Sequence, residues 1–147
     1  KTHNKNIKEC DDVFNEILTM YDKRAKGVIL NIEPLPREYC EYINSIEKAN
    51  ELAGSYENVE VQLDTRTLIE QKINSLPKDI DFKHCQIGDP EMCFHDSKFD
   101  HFHIAYSDAL KKMEYSGYIT AEVLCQEGYS NLNYLKIVAD KMSELYG

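Results

Sequence analysis

Four short apolar runs in this chain each end on a side chain that carries a carboxylate or amide oxygen, and a stretch with helical spacing follows each run. The four side chains are Glu33, Asp64, Gln86 and Glu122. If the runs are neighbouring parallel strands, their carboxyl ends lie together at one end of a sheet, where α/β proteins place their functional groups. We therefore expect the four oxygens to converge.

Three carboxylates and one amide are hard oxygen donors, which suit Mg²⁺ or Mn²⁺ better than Zn²⁺. Clustered carboxylates repel one another unless a cation lies between them, so a shared divalent ion is the predicted occupant. The alternative is that each strand-end carboxylate caps the following helix or is solvated. The recurrence at four consecutive strand ends favours the metal site.

The elements that must position these oxygens alternate along the chain. Strands are predicted at 28–33, 59–64, 82–87 and 118–122, and helices at 11–25, 36–54, 68–75 and 104–114. A last helix carries Leu135, Val138, Ala139, Met142 and Leu145 on one face. Residues 1–10 are expected to be a loose lead-in, and residues 88–103 a long functional loop. The alternation predicts an α/β fold with a parallel sheet.

Length and composition fit one soluble domain over residues 1–147, with 42% hydrophobic and 29% charged residues. No apolar run approaches the roughly 20 residues of a membrane span, so we expect no membrane-spanning segment in this sequence, and no stretch of it resembles a signal peptide. The net charge of −9 without a basic stripe argues against nucleic acid as a partner. Five dispersed cysteines indicate free thiols in a reducing cytoplasm.

The sequence around each predicted oxygen ligand forms a motif. The motifs are Ile32-Glu33-Pro34-Leu35, Leu63-Asp64-Thr65, His84-Cys85-Gln86-Ile87 and residues 115–122, YSGYITAE. In order and spacing they resemble the strand-five to strand-eight signatures of the xylose-isomerase-like TIM barrels, a group of sugar isomerases and epimerases. The third motif is similar to that of hydroxypyruvate isomerases, whereas ketose 3-epimerases have His-x-His there. The resemblance implies that residues 1–147 are the C-terminal half of a (β/α)₈ barrel.

The resemblance also implies a mechanism. Glu33, Asp64, Gln86 and Glu122 would bind Mn²⁺ or Mg²⁺, and Glu33 and Glu122 would also be the catalytic acid/base pair on either side of a bound sugar. The implied activity is a divalent-metal-dependent isomerase or epimerase of a sugar or small hydroxy-ketone, acting by proton transfer through an enediolate.

Other polar side chains near the strand ends have several interpretations. His84 has the strand parity of Gln86, so it could orient Gln86, bind substrate or be a core histidine. Arg66 could contact substrate, pair with Asp64 or form a surface ion pair. Cys85 is expected to pack rather than act as a nucleophile, and Asp89 is expected to be solvated.

Residues of the long loop and its borders form a possible second metal site. They are His84, Cys85, Cys93, His95, His101 and His103. A zinc-type site is the alternative to a loop that lines the substrate entrance, but neither a CxxC pair nor a standard His spacing supports it.

Three departures from the family pattern keep other functions open. Thr67 replaces a usual His, Met92 replaces a frequent Arg, and residues 100–103 replace a Gly-rich stretch. The alternatives are a metal-dependent dehydratase on the same scaffold and a non-catalytic sugar-binding descendant. An endonuclease of this superfamily is disfavoured by the acidic charge and by Gln86.

A half barrel also leaves its outer strands, at 28–33 and 118–122, with unpaired edges. We expect a missing N-terminal half barrel or a second copy of the chain to cover them.

Overall fold

The computed structural model describes residues 7–77, 80, 82–95 and 97–147. Helices and strands alternate in this part of the chain: α1 Ile7–Arg24, β1 Leu30–Ile32, α2 Ile46–Ala53, β2 Val59–Asp64, α3 Thr65–Glu70, β3 Phe82–Ile87, α4 Asp100–Lys112, β4 Tyr118–Ala121 and α5 Asn131–Tyr146. The strands form a parallel sheet in the order β1-β2-β3-β4. Because strand order follows chain order, this is the arrangement of a (β/α)₈ barrel rather than of a doubly wound sheet. The predicted fold class is confirmed.

The chain divides into two compact units, one ending at Gln62 and the other running from Leu63 to Gly147. In the first unit, β1 pairs in parallel with β2, with Leu30 opposite Val59. A polar network joins α1 to the segment before and within α2: the Tyr42 hydroxyl and the Lys48 ammonium both donate to Asp11 Oδ1, at 2.5 and 2.9 Å. The Tyr42 hydrogen bond and the Lys48 charge lower the pKa of Asp11.

Two boundaries in the first unit differ from the sequence prediction. Helix α1 begins at Ile7, within the predicted lead-in, and Glu9 in its first turn complements the helix dipole; residues 1–6 lie outside the described residues. The helix predicted from Pro36 is helical only from Ile46. Ser45 is extended there and its hydroxyl accepts from Lys48 N at 3.2 Å, so this N-cap starts the helix at Ile46, ten residues later than predicted.

In the second unit, β3 pairs in parallel with β4, and Gln86 lies opposite Thr120. Cys85 and Ile87 are buried on one face of β3, which leaves His84 and Gln86 on the other face. Burial raises the pKa of the Cys85 thiol, in agreement with its predicted packing role. Helix α3 begins directly after β2, three residues before the predicted start, because Asp64 caps it.

Helices α4 and α5 also differ in detail from the prediction. Helix α4 begins at Asp100 rather than Ile104, which shortens the loop after β3. The buried residues of α5 are Tyr134 and Val138, whereas Leu135, predicted on the buried face, is 59% exposed. Tyr134 enters the core because its hydroxyl accepts a hydrogen bond from Phe94 N at 3.1 Å.

Candidate metal centre

Asp64, the last residue of β2, is a buried carboxylate with a defined set of donors. It is 3% exposed. Oδ1 accepts from Arg66 N at 2.8 Å, and Oδ2 accepts from Thr67 Oγ1 at 3.1 Å. Arg66 Nη2 lies 3.6 Å from Oδ2. The helix-capping alternative is therefore correct for Asp64, but the two hydrogen bonds that its carboxylate accepts leave lone pairs on both oxygens for a further ligand.

Glu122 directly follows β4 and brings a second carboxylate to Asp64. One carboxylate oxygen of each residue lies within 4.8 Å of the other. Burial raises the pKa of Asp64 above its usual 3.8, and the Glu122 charge raises it further, against the opposing effects of Arg66 and Thr67. The two carboxylates therefore form a site of unbalanced negative charge, where a cation would relieve the repulsion.

A glycine lets the two strand ends approach each other. A Cβ on Gly88 would lie 2.7 Å from the Glu122 backbone oxygen, closer than such atoms pack. Glu122 N in turn donates to Ile87 O at 2.8 Å. Thr65 Oγ1 fixes the same glycine from α3, since it lies 3.0 Å from both Gly88 N and Gly88 O. These contacts set the position of Glu122 relative to β3.

We expect Gly88→Ala to displace Glu122, because the new methyl group would collide with the Glu122 backbone oxygen, which cannot rotate aside as a side chain can. Overpacking of this kind costs about 1–3 kcal/mol, measurable as a lower urea midpoint. Gly128→Ala is no suitable control because Gly128 has φ +89; Ser97→Ala at an exposed loop position serves instead. Wild-type stability of Gly88→Ala would show that the close approach is not required.

In the first unit, Glu33 directly follows β1 and is half-buried. Its Oε2 accepts from Gln62 Nε2 on β2, at 3.1 Å. A neutral amide donor orients this carboxylate without removing its charge. Its place in the four-ligand cage stays a prediction.

Gln86 and His84 lie on one face of β3 by strand parity, as predicted. His84 Nε2 lies 2.8 Å from Thr120 Oγ1 on β4. Either atom can donate in this contact. If the Thr120 hydroxyl donates, His84 Nε2 carries no proton; if His84 Nε2 donates, the hydroxyl oxygen accepts. The predicted roles of Gln86 as a ligand and His84 as a substrate contact stay predictions.

Arg66 pairs with Asp64 rather than at the surface, since the Asp64 carboxylate is buried. This is one of the alternatives for Arg66, and it replaces the surface ion pair. A metal ion bound to Asp64 would therefore share this carboxylate with the Arg66 guanidinium.

The predicted exposure of Asp89 is wrong. Asp89 is fully buried, with Oδ1 2.8 Å from His103 Nε2, while His103 Nδ1 lies 2.7 Å from the Tyr146 hydroxyl. Two backbone hydrogen bonds close a turn here: Asp89 N donates to Cys93 O, and Met92 N donates to Asp89 O. The loop therefore folds back and buries the carboxylate. In the described residues, no three of the predicted soft ligands bring their ligand atoms together, which gives the zinc alternative no support.

Sequence reasoning singled out Thr67 only as a departure and overlooked Thr65 and the Asp89–His103 pair. Thr67 could have been found, because Asp-x-x-Thr after a strand has the spacing of an N-cap and its third helical residue. Asp89 and His103 are fourteen residues apart, so no local spacing predicts their contact.

Comparisons with known proteins establish the fold but no family. No family model matches the sequence, and no curated protein matches it. A solved structure of 3-keto-D-glucoside 4-epimerase from E. coli, in its apo form, is similar, with a TM-score of 0.71 and 17% identity over 97% of this chain and 57% of that one.

Two solved structures of D-psicose 3-epimerase are similar as well. One, determined in the presence of D-fructose, has a TM-score of 0.61 and 16% identity; the other, with D-tagatose and from Clostridium cellulolyticum H10, has a TM-score of 0.60 and 14% identity. Each match covers 99% of this chain and 56% of the other. The chain thus shares the fold of these solved structures, as its motifs predicted, and it spans little more than half the length of these epimerases.

Proposed function

We propose that this chain forms strands five to eight of a divalent-metal-dependent sugar isomerase or epimerase. The observation that carries the proposal is the approach of the Asp64 and Glu122 carboxylates to within 4.8 Å. They lie at the carboxyl ends of parallel strands, in a fold that solved sugar epimerases share. This is the end of the barrel where TIM-barrel enzymes bind substrate.

The donor set fits Mn²⁺ or Mg²⁺. Carboxylate oxygens are hard ligands, and the Asp64 and Glu122 charges need a counter-ion stronger than the guanidinium 3.6 Å from Asp64. In the proposal, Glu33 and Gln86 complete the cage. The ion, when bound, would polarise a substrate carbonyl and acidify the neighbouring C–H.

The chain's own residues then move the proton. Glu33 and Glu122, from β1 and β4, are the proposed pair: one carboxylate removes the proton from the carbon beside the carbonyl and the other returns a proton to the enediolate. Asp64 stays ionised as a ligand, held by Arg66 N and Thr67. His84 and Arg66 are the proposed substrate contacts, because hydroxyl groups of a sugar can bond to both.

The proposal extends to the setting of the chain. We infer one domain over residues 1–147, a small sugar as ligand and a cytoplasmic location; in the described residues, no helix is long and apolar enough for a membrane span.

The second unit exposes large apolar side chains. Tyr118 of β4 is 78% exposed, and Leu132 and Leu135 of α5 are 65% and 59% exposed. We propose that an N-terminal half barrel covers this surface, with a homo-oligomer as the alternative.

The surface proposal has a direct test by light scattering. Residues 1–147 alone are expected to self-associate, and co-expression with a matching N-terminal half barrel is expected to give a single one-to-one species. A stable, monodisperse monomer of residues 1–147 would contradict the proposal.

Turnover tests the proposed activity. The protein that contains this chain is stripped with EDTA, loaded with Mn²⁺ or Mg²⁺ and given a panel of ketoses and small hydroxy-ketones in D₂O. We expect metal-dependent isomer formation with deuterium at the carbon beside the carbonyl. Metal-independent turnover would refute the cage, and loss of water from the substrate would indicate the dehydratase.

Two observations favour a non-catalytic sugar-binding descendant as the second candidate. Thr67, which replaces a usual His, is buried at 4% exposure and donates to Asp64. Met92, which replaces a frequent Arg, lies in the tight turn with Asp89. Binding of a sugar with Mn²⁺ but without isomer formation would establish this candidate.

A further inference from the structure

We propose that the Thr67 hydroxyl is a positioning group that holds Asp64 in its ligand orientation; the inference rests on the proposed metal site. The hydroxyl donates to Asp64 Oδ2 at 3.1 Å, and both side chains are almost fully buried. Second-layer donors of this kind orient metal-binding carboxylates in proteins generally.

The two oxygens of Asp64 have different donors. Oδ1 accepts from the backbone N–H of Arg66, and among substitutions at residue 66 only proline would remove this donor. Oδ2 has one neutral donor, the Thr67 hydroxyl, and one charged neighbour, Arg66 Nη2 at 3.6 Å. Thr67 is therefore the side chain that sets the rotation of the carboxylate plane by a direct hydrogen bond.

Loss of this hydroxyl changes the competition for Oδ2. Without the Thr67 donor, the carboxylate can turn to make a closer, charge-assisted bond with the Arg66 guanidinium, which is stronger than a neutral one. The guanidinium would then compensate more of the carboxylate's negative charge and occupy more of its lone pairs, so the carboxylate would attract a metal ion less strongly. Metal affinity should fall even where the fold is intact.

A purely structural role for Thr67, as part of the α3 cap, makes a different prediction. A cap contributes to the stability of the folded chain with or without metal. A positioning group contributes to the affinity for metal. Metal affinity and apo stability therefore distinguish the two roles.

Three substitutions at residue 67 isolate the hydroxyl. Thr67→Val replaces it with a methyl group at similar volume. Thr67→Ser and Thr67→Ala both lose the γ-methyl group and differ only in the hydroxyl. Ser107→Ala is the matched control, because Ser107 is equally buried, in α4, but its hydroxyl donates to the Leu145 backbone oxygen instead of a carboxylate.

The measurement is the Mn²⁺ dissociation constant of the whole protein, from the EPR signal of free Mn²⁺, with apo stability from urea unfolding. We expect Thr67→Val and Thr67→Ala to weaken Mn²⁺ binding about 10-fold or more, as for other second-layer changes, and Thr67→Ser to bind like wild type. Ser107→Ala should lower stability and leave the dissociation constant unchanged.

The outcomes separate this inference from the proposed function. If wild type binds no Mn²⁺, the metal site itself is wrong and the inference falls with it. If wild type binds but Thr67→Ala binds as tightly as Thr67→Ser, the hydroxyl does not position Asp64. Equal weakening by Ser107→Ala would also overturn the inference, because it would indicate that any lost buried hydroxyl loosens the second unit and weakens metal binding.

Discussion

The Asp64→Asn variant is expected to lose all stabilisation by Mn²⁺ while the metal-free protein unfolds no more easily than wild type. At a Mn²⁺ concentration about 100 times the dissociation constant, wild type should gain about 2.7 kcal/mol of unfolding free energy. The variant should gain almost none, since an amide is a weaker ligand than a carboxylate. The measurement is urea unfolding with and without Mn²⁺.

The expected metal-free behaviour follows from the sign of the pKa shift. Burial raises the pKa of Asp64 in the folded state. Relative to the unfolded chain, Asp64 therefore favours folding most below its usual pKa of 3.8 and less as pH rises through the folded pKa. At neutral pH the ionised carboxylate is a cost, which the uncharged asparagine avoids while still accepting from Arg66 N.

Asp89→Asn is the matched control for this experiment. It makes the same chemical change at a carboxylate that is also buried, but one that contacts His103 rather than Glu122. It should lower stability and keep the full response to Mn²⁺. A Mn²⁺ response in Asp64→Asn equal to that of wild type would remove Asp64 from the site.

Glu122→Gln is expected to reduce turnover by about 10²–10⁴-fold, the usual contribution of a positioned acid or base. Glu33→Gln should have a loss of the same order, because in the proposed mechanism each carboxylate would serve one side of the substrate. In both variants an amide oxygen remains as a weak ligand, so kcat at saturating Mn²⁺ reports the proton transfer.

The control for these variants is Glu127→Gln, a glutamate in the exposed loop after β4. It should have wild-type turnover and wild-type Mn²⁺ affinity. The proton-transfer assignment is wrong if Glu122→Gln, saturated with Mn²⁺, exchanges substrate hydrogen with D₂O at the wild-type rate.

The sequence predicted the elements that have strong local signals. Strand β3 was predicted at its observed bounds because Phe82, Cys85 and Ile87 are apolar and Gly88 ends the run. The α/β alternation and the strand-end oxygens followed from such runs, and the resemblance to known barrels followed from the motifs around those oxygens. The TIM barrel fold then followed from their order, which the similar epimerase structures confirm.

What the sequence could not predict depends on contacts between distant residues. The helix predicted from Pro36 had suitable apolar spacing, but the Ser45 cap starts α2 later. Asp89 has the composition of a solvated loop residue, yet His103 and Tyr146 form a buried chain of hydrogen bonds with it. The close pair of Asp64 and Glu122 needed Gly88, whose role is visible only in three dimensions.

The most direct measurement is diffraction at the manganese absorption edge from crystals of the protein loaded with Mn²⁺. We expect one anomalous peak with oxygens of Glu33, Asp64, Gln86 and Glu122 about 2.0–2.6 Å away, the range for hard divalent cations. A peak bound by other residues, or none at saturating Mn²⁺, would contradict the proposed metal centre and the isomerase that depends on it.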